Sequence, residues 1–333
     1  MTDPRLTLAH GNGGRLMRAL IEAVIAPALG PAAPDVTVDA AVFDPGLGPL
    51  VVTTDGFTVR PLEFPGGDLG SLAVHGTVND LAVAGATPLA LTLSVIAEEG
   101  LETAVLRRLM ESFGRAATAA GVRVLAGDTK VVPRGEGGGL YLSVAGVGRL
   151  RRPGLSLGAI HPGDRVLVSG PVGDHGVAVM FAREQFELRG DILSDSGSVA
   201  GLVVALDAVP GVRFLRDPTR GGLATVAHEI ATATGATVRL DETALPVRPA
   251  VRAVCEILGY DPLVLACEGR VVAVVAPEAA DAALAAWRAR PEGRDAAIIG
   301  AVEAGQARVL LITELGGERL VPELEDDPLP RIC

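Results

Sequence analysis

The chain is poor in aromatic residues, and it has no excess of positive charge and no long hydrophobic run. Aromatic residues make up only 3% of the 333 residues, and the formal net charge at pH 7 is −11. Nucleic-acid-binding proteins need a basic surface and, for single strands, aromatic stacking platforms, so we expect no nucleic-acid partner. The longest apolar runs resemble residues 88–97 and fall short of the ~18 residues of a membrane span, so we expect no membrane contact.

Cysteine is also scarce. The three cysteines, Cys255, Cys267 and Cys333, are odd in number, widely spaced and form no CxxC pair. This spacing favours neither a disulfide framework nor a zinc site. Residues 1–5 (MTDPR) do not form a basic segment followed by an apolar stretch, so we expect no signal peptide and a cytoplasmic location.

Lysine is almost absent, because Lys130 is the only one and the other 28 of the 29 basic residues are arginines. In a composition that replaces lysine by arginine wherever arginine is tolerated, the remaining lysine marks a position at which arginine fails. A lysine ammonium is compact and can lose its proton, whereas an arginine guanidinium stays charged in proteins. Lys130 is therefore a candidate functional residue, and chance survival on a surface is the alternative.

An acidic, proline-rich segment ends the sequence. Residues 321–333 (VPELEDDPLPRIC) contain three prolines and four acidic residues, and the last residue is Cys333. Such a segment cannot bury a core of its own, which predicts a mobile or extended tail. At ~3.3 Å per extended residue it reaches ~40 Å, enough to bring the thiol of Cys333 across a domain. An exposed cysteine of no consequence is the alternative.

Length and hydrophobic periodicity predict two domains of mixed α/β structure. Strands are predicted at 36–38, 50–54, 89–96, 122–125, 140–147, 165–169, 212–215, 263–266, 271–275, 297–302 and 309–313. Helices are predicted at 66–84, 101–120 and 277–288, and directly after the glycine-rich segments at 11–14 and 221–222. The pattern breaks near residue 150, so we predict domains over residues 1–152 and 153–320, followed by the tail 321–333.

Acidic residues and glycine-rich loops favour a metal–nucleotide site. The segment 10–15 (HGNGGR) enters a helix, an arrangement that offers backbone N–H groups to a phosphate, although a flexible turn explains it equally well. Mg²⁺ prefers oxygen ligands, usually a few carboxylates together with nucleotide phosphates. Each acid alone has a turn or a helix cap as its alternative interpretation. The candidate ligands at predicted strand ends or in glycine-rich connections are Asp44, Asp55, Asp80, Asp128 and Asp217.

Six short motifs stand out along the chain: 53–57 TTDGF, 67–70 GDLG, 76–81 GTVNDL, 126–131 AGDTKV, 216–222 RDPTRGG and 330–333 PRIC. They resemble the motifs of the HypE family of nickel–iron hydrogenase maturation factors, within the aminoimidazole-ribonucleotide-synthetase-like superfamily. The resemblance runs from about His10 to Cys333. The internal motifs are shared with sister ATP enzymes, whereas the cysteine that ends the last motif distinguishes the HypE family.

The resemblance implies an ATP-dependent carbamoyl dehydratase. A HypF-type carbamoyltransferase would place a carbamoyl group on Cys333, and ATP with Mg²⁺ would convert it to a thiocyanate. The cyano group would then pass to iron held by a HypC–HypD complex. The implied fold is α/β (α+β): a two-domain aminoimidazole-ribonucleotide-synthetase-like fold with a flexible C-terminal tail, whose N-terminal domain pairs in a homodimer. An amide oxygen is a poor leaving group that phosphoryl transfer improves, and the amide nitrogen needs a base to take its protons.

The resemblance also implies residue roles. The catalytic residues would be Cys333, Lys130 and Glu268, and the five aspartates above would bind the metal. The nucleotide-binding residues would be Gly11, Asn12, Gly13, Gly14, Asp55, His75, Asn79, Asp128, Thr129, Arg220 and Gly221. Two positions depart from the family pattern. Pro45 follows Asp44 where an acid or small polar residue is expected, and Cys267, expected to be an inert buried thiol, precedes Glu268.

Two other functions remain open at this point. One is a sister ATP-dependent enzyme acting on a free small molecule, such as selenophosphate or aminoimidazole ribonucleotide synthesis. The other is a non-catalytic scaffold or carrier that uses the thiol as a handle. The first has no need of Cys333, and mass spectrometry of the reacted protein distinguishes the second.

Overall fold

The computed structural model describes residues 14–20, 22, 41–43, 48–136, 138–183 and 190–325. The helices are α1 (Arg15–Leu20), α2 (Leu69–Val83), α3 (Thr103–Ala119), α4 (Asp174–Ala182), α5 (Ala200–Ala205), α6 (Gly222–Thr234), α7 (Pro249–Leu258) and α8 (Ala280–Arg288). The strands are β1 (Ala41–Phe43), β2 (Leu50–Phe57), β3 (Glu63–Phe64), β4 (Gly67–Asp68), β5 (Ala86–Glu98), β6 (Arg123–Val132), β7 (Leu140–Leu150), β8 (Arg165–Val168), β9 (Val212–Arg216), β10 (Thr237–Asp241), β11 (Val272–Val275), β12 (Ala297–Glu303), β13 (Arg308–Ile312) and β14 (Glu318–Leu320). The predicted strand at 36–38 and the predicted site residues Gly11, Asn12, Gly13, Asp44 and Cys333 lie outside the described residues.

The first sheet has five strands in the order β1-β2-β7-β5-β6. The long strand β5 pairs antiparallel with β7 and parallel with β6. Strand β6 lies at the edge of the sheet, and two of its apolar side chains are open to solvent, Leu125 at 65% and Val131 at 66% exposure. A long apolar edge strand of this kind is a surface on which another chain can pair.

The second sheet has seven strands in the order β14-β13-β10-β12-β8-β11-β9. Neighbouring strands are antiparallel except for β10 and β13, which run parallel. Helix α6 packs into one hydrophobic core with this sheet, around Ile230 and Val238. Helices α5 and α8 contribute to another core, in which Trp287 is fully buried.

Helix α2 lies between the two halves of the molecule. The carboxylate of Asp68 accepts the N–H of Ser71 at 2.9 Å, so a capping box fixes the first turn of the helix. Twelve of its fifteen residues are buried, which explains why small and apolar residues occur on every side of it. Leu72 belongs to a core shared with α3 and α4, whereas Ala82 and Val83 belong to a core shared with α5. The helix therefore places its few polar residues at the junction of the two sheets. Among the described helices, none is long and apolar enough to cross a membrane.

Two sequence predictions about local structure were wrong. Residues 263–266 are not a strand, because the Asp261 carboxylate accepts the N–H of Leu263 at 3.0 Å and Pro262–Val264 forms a 3-10 turn. The predicted acids do not all lie at strand ends or in loops. Asp55 lies inside β2 and Asp128 inside β6, each held by pairing on the neighbouring strand, and Asp80 lies inside α2.

The chain remains packed further along than the predicted start of the tail at residue 321. Val321 is 1% exposed, and its N–H donates to the carbonyl of Val309 at 3.0 Å. This side chain belongs to the core of the second sheet, so the first residues of 321–333 are part of the folded structure.

Candidate active site

Four carboxylates from both halves of the molecule line one small pocket. Asp55 comes from β2, Asp80 from α2, Asp217 follows β9, and Glu268 precedes β11. The remaining lining residues are Gly56, Phe57, Gly76, Thr219 and Arg220. The cavity measures about 30 Å³. This space suits an ion or a water molecule or two rather than a whole nucleotide.

Two glycines after β9 form a tight turn directly after the pocket residue Arg220. Gly221 and Gly222 have φ values of 73° and 58°, a left-handed conformation that other residues adopt rarely. A Cβ on Gly222 would also lie 2.5 Å from the carbonyl oxygen of Leu265. Helix α6 starts within this turn at Gly222, and Arg220, two residues earlier, lines the pocket.

Burial and mutual repulsion favour protons or a cation among these carboxylates. Burial raises the pKa of Asp217 to about 6. Burial also raises the pKa of Asp55, and the positive charge of Arg220 partly opposes this second rise. The pKa of Asp80 is raised well above its ordinary value by burial and by the nearby Asp217, Asp55 and Glu268. The hydroxyl of Thr53 donates to Asp80 Oδ2 at 2.8 Å, which opposes the rise.

These residues have the oxygen donors that Mg²⁺ prefers, but they do not form a preformed metal cage. Among the described residues, no three histidine, cysteine or acidic side chains are already arranged to hold a metal. Mg²⁺ usually needs only one or two protein carboxylates, with water and phosphate oxygens completing its six ligands. The pocket offers such carboxylates at Asp55, Asp80 and Asp217.

Replacing Asp80 with asparagine should stabilise the protein without added metal and weaken its response to magnesium. A group such as Asp217, whose pKa is raised to about 6 in the folded state, lowers the free energy of unfolding as pH rises from about 4 to about 6. For Asp217 this loss is at most about 3 kcal/mol. Because Asp80→Asn removes a carboxylate whose ionised form is disfavoured by burial and by the nearby Asp217 and Asp55, we expect ~1–2 kcal/mol of added stability at pH 7.5.

The measurement is the Tm of Asp80→Asn at pH 5 and pH 7.5, with and without Mg²⁺ and ATP. The wild-type gain from Mg²⁺ should be larger at pH 7.5, which lies above the pKa of about 6 of Asp217, and the variant should lose most of it. Asp281→Asn, at an exposed position on α8, is the matched control. An unchanged metal response in Asp80→Asn would contradict this placement of the ion.

The structure places the predicted residues His75 and Asn79 against the segment 194–199 of the second half. His75 Nδ1 lies 3.1 Å from the hydroxyl of Ser196. Burial lowers the pKa of His75 to about 4, so this imidazole is neutral at pH 7. Asn79 is 1% exposed, and its side chain forms hydrogen bonds with backbone groups of Gly197, Val199 and Glu268.

Asp128, Thr129 and Lys130 lie away from the four carboxylates within one copy of the chain. Asp128 pairs with Ser94, Ser94 with Ser143, and Ser143 with Gly56, the neighbour of Asp55. Three strand spacings of ~4.8 Å therefore separate Asp128 on β6 from Gly56 on β2, which is a path of ~14 Å across the sheet. Both Asp128 and Lys130 are exposed on the edge strand.

The root of the tail lies beside the turn that carries Arg220. The N–H of Arg15 donates to the carbonyl of Leu324 at 2.8 Å, and the side chain of Arg15 forms an ion pair with Glu325 at 2.6 Å. Arg18 forms a second ion pair with Glu323. A Cβ on Gly14 would lie 2.5 Å from Leu324 O, so this glycine packs directly on the tail root. On the other side, a Cβ on Gly221 would lie 3.4 Å from Leu324 Cδ1.

Comparisons with known proteins agree with this architecture. Residues 37–150 match the family of AIR synthase related protein, N-terminal domain, and residues 161–312 match its C-terminal domain. Carbamoyl dehydratase HypE of Rhizobium leguminosarum bv. viciae is 49% identical over 338 residues, covering 100% of this chain and 96% of the relative. The chain belongs to the HypE family.

Other HypE proteins extend the likeness. Carbamoyl dehydratase HypE of Escherichia coli (strain K12) is 42% identical over 335 residues, covering 98% of this chain and 99% of the relative. A solved HypE in complex with ATP has a TM-score of 0.83 at 42% identity, covering 99% of this chain and 100% of that one. A HypE–HypF complex has a TM-score of 0.86 at 43% identity, covering 92% of this chain and 100% of that one.

Membership of the HypE family confirms three predictions made from the motifs. These are the family, the two-domain fold of mixed α/β structure, and an enzyme of the carbamoyl dehydratase type. The individual site residues remain predictions, placed by the structure as described. Thr53, which donates to Asp80, and Thr219, which lines the pocket, were not among the predicted site residues. Both lie inside quoted motifs, so motif membership was the signal that could have found them.

Proposed function

We propose that this chain converts an S-carbamoyl group on its own Cys333 to a thiocyanate at the expense of ATP. The observation that carries the proposal is the position of the tail root beside the pocket. Leu324 lies next to Gly221, and the preceding residue, Arg220, lines the carboxylate pocket. Cys333 follows Leu324 by nine residues, which span at most ~30 Å. The thiol of Cys333 is therefore within reach of Glu268 in the same copy.

The reaction balances without an external oxidant or reductant. The carbamoyl oxygen accepts the γ-phosphoryl group of ATP, which turns that oxygen into a leaving group. The amide nitrogen loses two protons, and the C–O bond breaks to give a C≡N triple bond and inorganic phosphate. In sum, S–C(=O)–NH₂ becomes S–C≡N, and the elements of water are removed.

Glu268 is the proposed base that takes a proton from the amide nitrogen. Its side chain lines the pocket, yet the residue is only 2% exposed. A buried carboxylate beside the reacting group can accept a proton without competition from bulk water. Arg220 lines the same pocket, and α6 begins two residues later at Gly222. The Arg220 side chain and the N-terminus of α6 are the proposed partners of negatively charged phosphate oxygens. A magnesium ion on Asp55, Asp80 or Asp217 would supply charge compensation for the phosphates.

Lys130 and Asp128 are proposed to reach this site from a second copy of the chain. Within one copy they lie at the exposed edge strand, ~14 Å along the sheet from Asp55. The same strand exposes the apolar side chains Leu125 and Val131, which favours burial in a homodimer. Pairing at this edge would bring the lysine and aspartate of one protomer towards the carboxylates of its partner.

Three further elements of the function follow from the family. A HypF-type carbamoyltransferase is the proposed source of the carbamoyl group, and one solved HypE is in a complex with HypF. A HypC–HypD complex is the proposed acceptor of the cyano group. Because these partners and ATP are intracellular, the proposed location is the cytoplasm.

Intact-protein mass spectrometry tests the proposed function. The protein is carbamoylated on Cys333, mixed with ATP and Mg²⁺, and sampled over time. We expect a loss of about 18 Da, the formula mass of water removed in the elimination. Phosphate release that requires an added small-molecule acceptor and leaves the protein mass unchanged would indicate a sister enzyme acting on a free small molecule. ATP binding with neither product would indicate a carrier or scaffold.

A further inference from the structure

The side-chain amide of Asn79 is fully engaged by the protein. Asn79 Nδ2 donates to the carbonyl of Gly197 at 3.0 Å and to the carbonyl of Glu268 at 3.3 Å. Asn79 Oδ1 accepts the N–H of Val199 at 2.8 Å. An asparagine amide has two N–H donors, so both acceptors can be served at once. With the residue 1% exposed, no donor is left to face a nucleotide.

Asp195 holds the other side of the same peptide. Asp195 Oδ1 accepts the N–H of Glu268 at 3.1 Å, and Asp195 Oδ2 lies 3.3 Å from Arg270 Nε. The Asp195 side chain is completely buried. A Cβ on Gly269 would collide with the carbonyl oxygen of Asp195, so the chain after Glu268 packs directly on this segment.

Arg270 anchors Asp195 in turn. Its Nε donates to the carbonyl of Pro171 at 2.9 Å, and its guanidinium lies 3.6 Å from Asp174, which also accepts a hydrogen bond from Arg248 at 2.8 Å. The charge of Arg270 lowers the pKa of Asp195, against the larger effect of burial, which raises it. Asp195 is therefore fixed by groups that do not touch the pocket.

Glu268 is consequently held at both ends of its backbone. Its N–H is held by Asp195, and its C=O accepts from the Asn79 amide and from the N–H of Gly197, each at 3.3 Å. Asn79 is adjacent to Asp80 on α2, and Asp80 and Glu268 line the same pocket. One turn of α2 thus positions the carboxylate of Asp80, a proposed metal ligand. Through the amide of Asn79, the same turn also positions the residue Glu268 in the second half of the molecule. Catalytic side chains must be held within about 0.5 Å of the productive geometry, which is usually achieved by such supporting hydrogen bonds.

We propose that Asn79 and Asp195 are positioning residues for Glu268, and that Asn79 is not a nucleotide ligand. This inference rests on the proposed function, in which Glu268 acts on the carbamoyl group of Cys333. It reassigns Asn79, which the motif had predicted to bind the nucleotide, and adds Asp195, which no motif had indicated.

Matched variants test the proposal at each end of the peptide. Asn79→Asp keeps the shape of the side chain but turns an acceptor towards the carbonyls of Gly197 and Glu268, whereas Asn79→Ala removes the bonds. Asp195→Ala removes the acceptor for the Glu268 N–H, and Asp195→Asn retains an oxygen that can accept it. We expect kcat for dehydration to fall on the order of 10²-fold in Asn79→Asp, Asn79→Ala and Asp195→Ala. KM for ATP should stay within about twofold, and Asp195→Asn should recover most of the lost kcat.

Non-additivity shows whether the effect passes through Glu268. Once Glu268→Gln has removed the carboxylate, adding Asn79→Ala should cost little more, because there is no base left to position. Multiplied losses in the double variant would overturn the proposal, as would a raised KM for ATP with kcat retained in Asn79→Ala. Circular dichroism and Tm identify any variant that fails to fold. If the Asn79 variants do not fold, the kcat values of Asp195→Ala and Asp195→Asn test the positioning role of Asp195. The folded Asp195→Ala protein should then bind ATP as the wild type does, and a lost affinity for ATP would contradict a role limited to Glu268.

The wild-type reaction separates this proposal from the proposed function. If carbamoylated wild-type protein loses no water with ATP and Mg²⁺, the proposed function fails. If the wild type reacts and folded Asp195→Ala reacts equally fast, the positioning role fails while the function stands.

Discussion

Replacing Cys333 with alanine is expected to abolish thiocyanate formation while ATP binding and stability stay unchanged. The thiol sulfur is the atom that carries the carbamoyl group, so no other residue can take its place in the same chain. Within the described residues, the chain is packed up to the tail root at Leu324 and Glu325, and the pocket is lined entirely by residues before this point. Removing one sulfur atom eight residues beyond Glu325 therefore leaves these contacts intact.

The other two cysteines cannot substitute for Cys333. Cys255 is 2% exposed and Cys267 is fully buried. Burial raises the pKa of Cys255 to about 11 and raises the pKa of Cys267 well above its ordinary value. Both thiols are protonated at neutral pH, and the thiolate is the reactive form. The expected inertness of Cys267 is consistent with this burial.

The measurement combines three readouts on wild type and Cys333→Ala. Mass spectrometry follows carbamoylation and the loss of about 18 Da expected for dehydration, calorimetry gives the Kd for ATP, and a thiol reagent counts reactive cysteines in the native protein. Cys255→Ala is the matched control and should retain the reaction at a temperature at which it is folded. Dehydration in Cys333→Ala would refute the role of this thiol. A lost affinity for ATP would instead show that the tail is part of the nucleotide site.

The sequence predicted the main elements around the site because their signals are local. The apolar periodicity of 101–120 identified α3, and the β-rich run at 50–54 identified the start of β2. The helix predicted at 66–84 corresponds to α2, in which small and apolar residues predominate. Such patterns arise from contacts within a few residues, so they can be read from one sequence.

What the sequence could not predict depends on contacts between distant segments. Asp55-Gly56 has the composition of a turn, yet pairing with Val144 and Ser143 on β7 keeps both residues in a strand. Asp195 has no local signal, because its role comes from the N–H of Glu268, 73 residues further along the chain. Likewise, the five candidate metal ligands look equivalent in sequence. Only the folded structure shows that Asp55, Asp80 and Asp217 line one pocket while Asp128 lies on the edge strand of the first sheet.

Mixing two inactive variants, Lys130→Arg and Glu268→Gln, is expected to restore dehydration. Each homodimer alone should lose on the order of 10²-fold or more in kcat, the usual contribution of a group that moves a proton. If Lys130 of one protomer serves the pocket of its partner, a mixed dimer has one intact site, which combines the unaltered Glu268 of one chain with the unaltered Lys130 of the other. With equal amounts and free exchange, half of the dimers are mixed, so about one quarter of wild-type activity should return.

Two tagged copies, co-expressed and purified by both tags in turn, would supply the mixed dimer directly. A control uses wild type mixed equally with the double variant Lys130→Arg/Glu268→Gln. A site built from two protomers leaves only wild-type homodimers active, about one quarter of all sites, whereas a site built within one protomer leaves about one half. A site shared between protomers therefore gives higher activity in the first mixture and lower activity in the control mixture than a site built within one protomer. No recovery in the first mixture, with one half retained in the second, would place Lys130 in the site of its own chain and would require β6 to move by much of the ~14 Å that separates it from Asp55.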